Sequence, residues 1–340
     1  MSSRRMVAKL VSRMDRYVVA ILFMVLLASV LPVRGEAAAI AGRITDFAIA
    51  LLFFLYGARL PRETVVEGLT HWRLQAVVLA GTFVLFPLLG LLIGFLARPL
   101  LDSTLAFGLL FLCLLPSTVQ SSIAFTSIAR GNVAAALCSA SISNLLGVVL
   151  TPLLVGLLVR TPGGGFSLDA VEDVALQLLV PFLAGQVLRP WLKGLMARWR
   201  SLLGYVDRGA ILLVVYTAFS HGVVNGIWHQ VSPASLLLLL AINALLLAVV
   251  LVAMTLISRG LGFSKEDEIA IVFCGSKKSL ASGVPIANVL FPAQSVGLIV
   301  LPVMLFHQIQ LMACAAIAQR YARRRDGAAP PAPEAVPSAR

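Results

Sequence analysis

The chain has 340 residues, 59% of them hydrophobic and only 12% charged, with a mean hydropathy of +0.96. A soluble domain of this size needs about twice that charge to clothe its surface, so a water-soluble enzyme or binding module is excluded. The net charge of +12 does not point to nucleic acid either, because Lys and Arg gather in short segments between apolar runs, the pattern of membrane topology.

Residues 1–16 form a basic leader, and the apolar run Tyr17 to Val33 follows it. A cleaved signal peptide competes for this segment, with Ala37, Ala38 and Ala39 downstream, but the run is long for one and a retained first helix is expected. No charge occurs between Asp102 and Arg130, between Arg130 and Arg160, or between Arg208 and Arg259. Such runs meet the roughly 20 residues that span a bilayer. Ten spans are expected, at 17–33, 40–58, 74–97, 104–130, 132–159, 171–192, 207–228, 234–258, 267–291 and 294–318. The second is interrupted by Arg43 and Asp46.

With the N-terminus inside, Arg34, Arg43, Arg98 and Arg160 lie outside, Lys277 and Lys278 fall within the membrane, and the other Lys and Arg are cytoplasmic. That bias sets both termini in the cytoplasm of a multi-pass inner-membrane protein. The expected organisation is a first five-helix repeat over 17–160, an extracytoplasmic linker over 161–170 and a second repeat over 171–319. A disordered cytoplasmic tail over 320–340 closes the chain. Gly90/Gly94 and Gly222/Gly226 read as small-residue helix contacts.

Two long apolar stretches are broken. Pro116-Ser117-Thr118-Val119-Gln120-Ser121-Ser122 interrupts one, and Cys274-Gly275-Ser276-Lys277-Lys278-Ser279 the other. Laid over each other, Ser121 falls on Ser279, Ile128 on Ile286 and Ala129 on Ala287. Interrupted membrane segments in matching halves point to a carrier's binding site, since freed backbone groups cannot face lipid.

Ser117, Thr118, Gln120, Ser121 and Ser122 offer hydroxyls and an amide for a polar solute. A helix restarting after the break also aims N-terminal amides inward. Any one of these serines could equally satisfy a neighbouring helix. Lys277 and Lys278, flanked by Ser276 and Ser279, are the sharper signal. A lysine at mid-bilayer costs about 2.5–3.5 kcal/mol on insertion scales. At least one is expected to contact substrate or act as a fixed internal cation; a tie onto backbone carbonyls or an acid, with Asp46 and Glu268 the candidates, is the other reading. His307, Gln308 and Gln310 in the last span, and Asn144 with Ser143 in the fifth, complete the candidate set. Four dispersed histidines and four cysteines within apolar runs give no metal or cofactor spacing. Paired carboxylates and nucleophile–base spacings are missing from the spans, so an enzyme is not expected.

The stretches Phe125–Asn132 (FTSIARGN), Leu150-Thr151-Pro152, Lys278–Pro292 (KSLASGVPIANVLFP) and Phe53–Arg59 (FFLYGAR) resemble the bile acid:sodium symporter family. The likeness runs over roughly 15–320, and the GSKKSLASG segment is more similar to the branch holding the seventh human carrier and bacterial proteins than to bile acid carriers. This resemblance implies an all-α polytopic membrane protein of ten helices in two inverted five-helix repeats. Its broken fourth and ninth helices cross, a panel and a core rock against each other, and substrate binds in the cleft beside the crossing. It also implies where sodium ligands fall: Ser122 is kept, an Asn position reads Ile123, hydroxyl positions read Ala136 and Ala140, the acidic ligand falls near Phe273 or Cys274, and a Gln-Asn pair near Lys277-Lys278. Sodium prefers oxygen ligands, so two ordinary sodium sites are not expected. The chain therefore reads as a carrier of small organic anions in a lipid bilayer, without a cofactor and with sodium doubtful. A non-transporting regulator of ion (calcium) homeostasis, acting through protein partners, is the alternative.

Overall fold

A computed structural model describes residues 16–59, 71–97, 99–158, 175–226 and 231–326. All regular elements among them are helices: α1 (Arg16–Val30), α2 (Gly35–Arg59), α3 (Trp72–Ala97), α4 (Ser103–Leu114), α5 (Gln120–Ile128) and α6 (Val133–Leu158). After these come α7 (Val180–Arg198), α8 (Arg200–Val224), α9 (Pro233–Gly260), α10 (Lys265–Gly275), α11 (Leu280–Leu290) and α12 (Ala293–Asp326). A π-helical turn, Gly81–Leu85, lies within α3, and another, Ala175–Leu179, leads into α7.

Seven stretches among the described residues are long and apolar enough to cross a membrane: α2, α3, α6, α8, α9, the α10–α11 pair and α12; α1 and α4 are shorter apolar helices. α7 is not one of the seven, because Arg189, Lys193 and Arg198 occupy its second half. The leader 1–15, the linker 161–170 and residues 327–340 lie outside the described residues. The expected tail does not start at 320. α12 continues to Asp326, since Ala and Arg sustain a helix after the apolar run has ended.

Helix ends are set locally. Asp102 accepts from the Thr104 amide at the start of α4, Ser232 precedes Pro233 and accepts from the Ser235 amide at α9, and Ser264 accepts from the Asp267 amide at α10. Glu266, Asp267 and Glu268 then fill the first turn of α10, where acids complement the helix dipole.

The helices pack in two groups. α1 lies against α8, and α2 against α7 and α8; α3–α6 and α9–α12 pack among themselves, and α8 touches α11 and α12. Gly57 and Gly185 bring α2 and α7 together so closely that a Cβ on either would strike the other helix's backbone, at Phe182 and Phe54. Of the expected glycine contacts, the one at Gly90 is present. Gly90 faces Cys113, but Gly94 has nothing within 4 Å, and Gly226 (φ +77°) ends α8 as a left-handed terminator.

Candidate functional site: the crossing of two helix breaks

α4 ends where Pro116 removes an amide and forces Leu115 into an extended conformation (ψ 153°). The chain resumes as α5 at Gln120. Across from it α10 ends at Gly275, and Ser279 caps α11 by accepting from the Ser282 amide. The two breaks meet. Each helix that stops there leaves carbonyls without intrahelical donors, and each break caps the other's carbonyls. Ser117 Oγ donates to the Cys274 carbonyl (2.6 Å) and Ser122 Oγ to that of Phe273 (3.1 Å). In return the Ser279 amide donates to the Pro116 carbonyl (2.9 Å), and Thr151 Oγ1 on α6 takes Leu114 (2.8 Å). Gly147 on α6 makes room for the Pro116 ring, against which a Cβ would lie at 2.5 Å.

Lys278 completes this capping from inside the protein. Its fully buried ammonium donates to the carbonyls of Thr82 (2.9 Å), Cys113 (2.8 Å) and Leu115 (2.7 Å), and lies 4.1 Å from the centre of the Phe86 ring. Cys113 and Leu115 belong to the negative end of α4, and Thr82 sits in the π-helical turn of α3, whose altered pairing frees carbonyls. Three donors meet three acceptors, so this ammonium has no donor left for a solute. Gln310 fixes the backbone of the same residue, accepting from its amide and donating to its carbonyl, both at 2.9 Å. His307 Nδ1 lies 2.9 Å from Gln310 Nε2.

Lys277 is equally buried but differently held. One hydrogen bond, to Ser121 Oγ at 3.3 Å, joins it to the first turn of α5, and the rings of Phe125 (4.6 Å) and Phe273 (5.6 Å) flank it. Aromatic faces attract a desolvated cation without consuming its N–H groups. The start of α5 beside it has no side-chain cap. The acids considered as partners lie elsewhere. Glu268 binds Arg259 (3.1 and 3.2 Å), Lys265 (2.5 Å) and the Tyr321 hydroxyl (2.9 Å), and Asp46 is exposed on α2.

The remaining predicted residues distribute around this centre. Thr118 Oγ1 bonds Ser121 (2.7 Å) and Ser122 (3.2 Å), Ser276 Oγ returns to the Val272 carbonyl (2.6 Å), and Asn144 accepts from Ser282 Oγ (2.7 Å). Ser143 Oγ accepts from the Ser117 amide (3.1 Å). Gln120 is exposed at the start of α5. Gln308, half-buried on α12, has a buried Nε2 without a hydrogen-bond partner. Asn132, in the Ala-Arg-Gly-Asn element, caps α6 through the Ala135 amide (2.9 Å) and reaches Asp267 (2.8 Å), after Arg130 turns the chain at φ +57°. Thr82, Phe86, Phe125 and Phe273 were not among the expected site residues, whereas Gln310, expected with its neighbours on the last span, does reach the crossing.

The family model described as the SBF-like CPA transporter family matches residues 15–323. An uncharacterized protein of Pseudomonas aeruginosa is 58% identical over 316 residues, covering 93% of this chain and 95% of its own. The putative symporter YfeH of Escherichia coli K12 is 52% identical over 318 residues (94% and 96%). Sodium/bile acid cotransporter 7 of Danio rerio is 27% identical over 309 residues (88% and 91%).

Proposed function

Because the chain belongs to the SBF-like CPA transporter family, we propose that it is a secondary carrier moving small organic anions across the cytoplasmic membrane by alternating access. Its helices are read as ten passes in two inverted five-helix repeats, with α4–α5 and α10–α11 as the broken fourth and ninth and both termini in the cytoplasm. The reciprocal capping of the two breaks supports that symmetry, and the division of the helices into two packing groups supports a rocking movement between them.

Relatives whose names mark them as symporters or sodium-coupled carriers suggest a coupling ion. In this chain two covalently tethered ammonium groups stand at the crossing instead. Lys278, surrounded by carbonyl oxygens as a bound monovalent cation would be, is assigned as a fixed internal charge. Lys277, with one hydroxyl partner and the uncapped amides of α5 beside it, is assigned as the contact for a substrate carboxylate or sulfate. The observation that carries this reading is the complete burial of both lysines where the two breaks meet. A sodium ion placed there would be repelled by both.

The test is uptake into proteoliposomes of a panel of labelled carboxylates and sulfated conjugates, with sodium replaced by choline. Equal uptake in the two salts is expected. Strong dependence on sodium would remove the tethered cations from the mechanism.

A further inference from the structure

Lys277 is assigned above to an anion, yet no part of the residue is exposed, so a solute reaches its ammonium only if a covering group moves. Two of the covering groups, Phe125 and Phe273, belong to a small buried cluster that is separate from the main core and also holds Ile269 and Cys314. Its edge is formed by Phe125 and Tyr321, both half-buried. A side chain at such an edge breaks fewer contacts in moving than one inside the main core.

The backbone of α5 is pinned at both ends. Ser122 Oγ holds its first turn to the Phe273 carbonyl (3.1 Å), and just past its end the Asn132 amide donates to the Glu266 carbonyl (2.9 Å). Gly131, beside Asn132, lies so close to α10 that a Cβ would meet Ile269 at 2.5 Å. The cover therefore opens at a side chain. Phe273 is fully buried, with the rings of Phe125 (5.9 Å) and Tyr321 (6.3 Å) against it. Phe125 is the movable one: its ring centre is 4.6 Å from the ammonium, and a rotamer change about Cα–Cβ carries the ring away. Tyr321 on α12 fixes the seat of that ring. Its hydroxyl donates to Glu268 (2.9 Å), the Lys265 ammonium lies 5.0 Å from its ring centre, and its edge-on contact passes the restraint to Phe273.

We propose that Phe125 is a lid over Lys277, seated on Phe273 and latched by the Tyr321–Glu268 bond, and that an incoming anion takes the place of the ring on the ammonium. A cation–π contact is exchanged for a charge-assisted hydrogen bond, so the buried cation has a partner in both states. The lid rests on the reading of Lys277 as the anion contact. Glu268 lies in the first turn of α10, so on the orientation proposed above the lid opens toward the cytoplasm.

Cys314 reports on the lid directly. The full chain, purified in detergent, is treated with N-ethylmaleimide, and the modification of its four buried cysteines is followed over time by peptide mass spectrometry. All four are expected to react slowly in the parent. Tyr321→Phe removes the latch and keeps the ring, and should speed Cys314 by about 10-fold, the scale of one lost hydrogen bond to a charged group. Phe125→Ala should speed it at least as much, and Phe125→Tyr should match the parent. Cys113, in the main core, should stay slow throughout. The lid is overturned if Cys314 keeps the parent's rate in Tyr321→Phe, or if Cys113 accelerates with it there. Should Phe125→Ala label all four thiols alike, it has unfolded and Tyr321→Phe decides alone. Labelling involves no transport, so a failed lid leaves the carrier reading standing, and a failed carrier reading shows in uptake while the labelling pattern persists.

Discussion

Ser117 donates its hydroxyl to the Cys274 carbonyl across the two breaks, at 2.6 Å, with both residues buried. The bond ties the end of α10 to the loop that stops α4, and neither helix end can reach water. Ser117→Ala leaves that acceptor unmet, at a cost of about 1–3 kcal/mol. Ser122→Ala does the same to Phe273. Because both hydroxyls cap neighbouring carbonyls of one helix end, their combined effect should depart from additivity. Thermal unfolding of the two single variants and the double variant measures this; unchanged melting temperatures would show that the crossing is held by something else.

Lys278→Met is expected to lower stability by several kcal/mol, since buried acceptors left without a donor cost about 1–3 kcal/mol each. It strands the carbonyls of Thr82, Cys113 and Leu115 together. Those three oxygens then form a partial cation cage, so sodium should raise the melting temperature of this variant and leave the original chain unaffected. A variant as stable as the parent would count against the assigned role.

Lys277→Met should show the opposite profile. The ammonium has one hydrogen bond and two ring contacts, so its removal relieves a buried charge at little loss of partners. Stability should be held or improved, while uptake falls roughly 10- to 100-fold, the scale of one lost charge-assisted contact of about 1.5–3 kcal/mol. Initial rates in proteoliposomes, compared with melting temperature, separate the two lysines. Retained uptake would reassign the anion contact.

Gly185→Leu should prevent α2 and α7 from meeting, because its side chain would have to occupy the space of the Phe54 carbonyl. The expected readout is loss of the monodisperse peak in size-exclusion chromatography. Gly94→Leu, at a position open to its surroundings, should behave as the parent does.

Both breaks were readable from the chain because proline and clustered serines in a membrane segment interrupt a pattern that is otherwise uniform. The division of labour between Lys277 and Lys278 was not. Adjacent residues in a non-helical loop point in different directions, and their surroundings come largely from α3, the end of α4, α5 and α12, far off in sequence. The π-helical turn that exposes the Thr82 carbonyl leaves no mark in Gly81–Leu85 that hydropathy could register. Gln310 stood in plain view as an amide in an apolar run, yet its neighbours His307 and Gln308 carried the same kind of signal. Glycine spacing misled at Gly94 and passed over Gly57 and Gly185, since close approach depends on which partner helix lies opposite.

The Lys278 ammonium is bonded to the chain as well as to its three carbonyls, which gives it a property no dissociable ion has: it never travels. On the proposed reading an anion then crosses without a compensating co-ion, and each turnover moves net charge. The driving forces would be the solute gradient and the electrical potential alone, the latter worth about 2.3 kcal/mol per charge for each 100 mV. With the interior negative, such a device favours export of the anion over its accumulation.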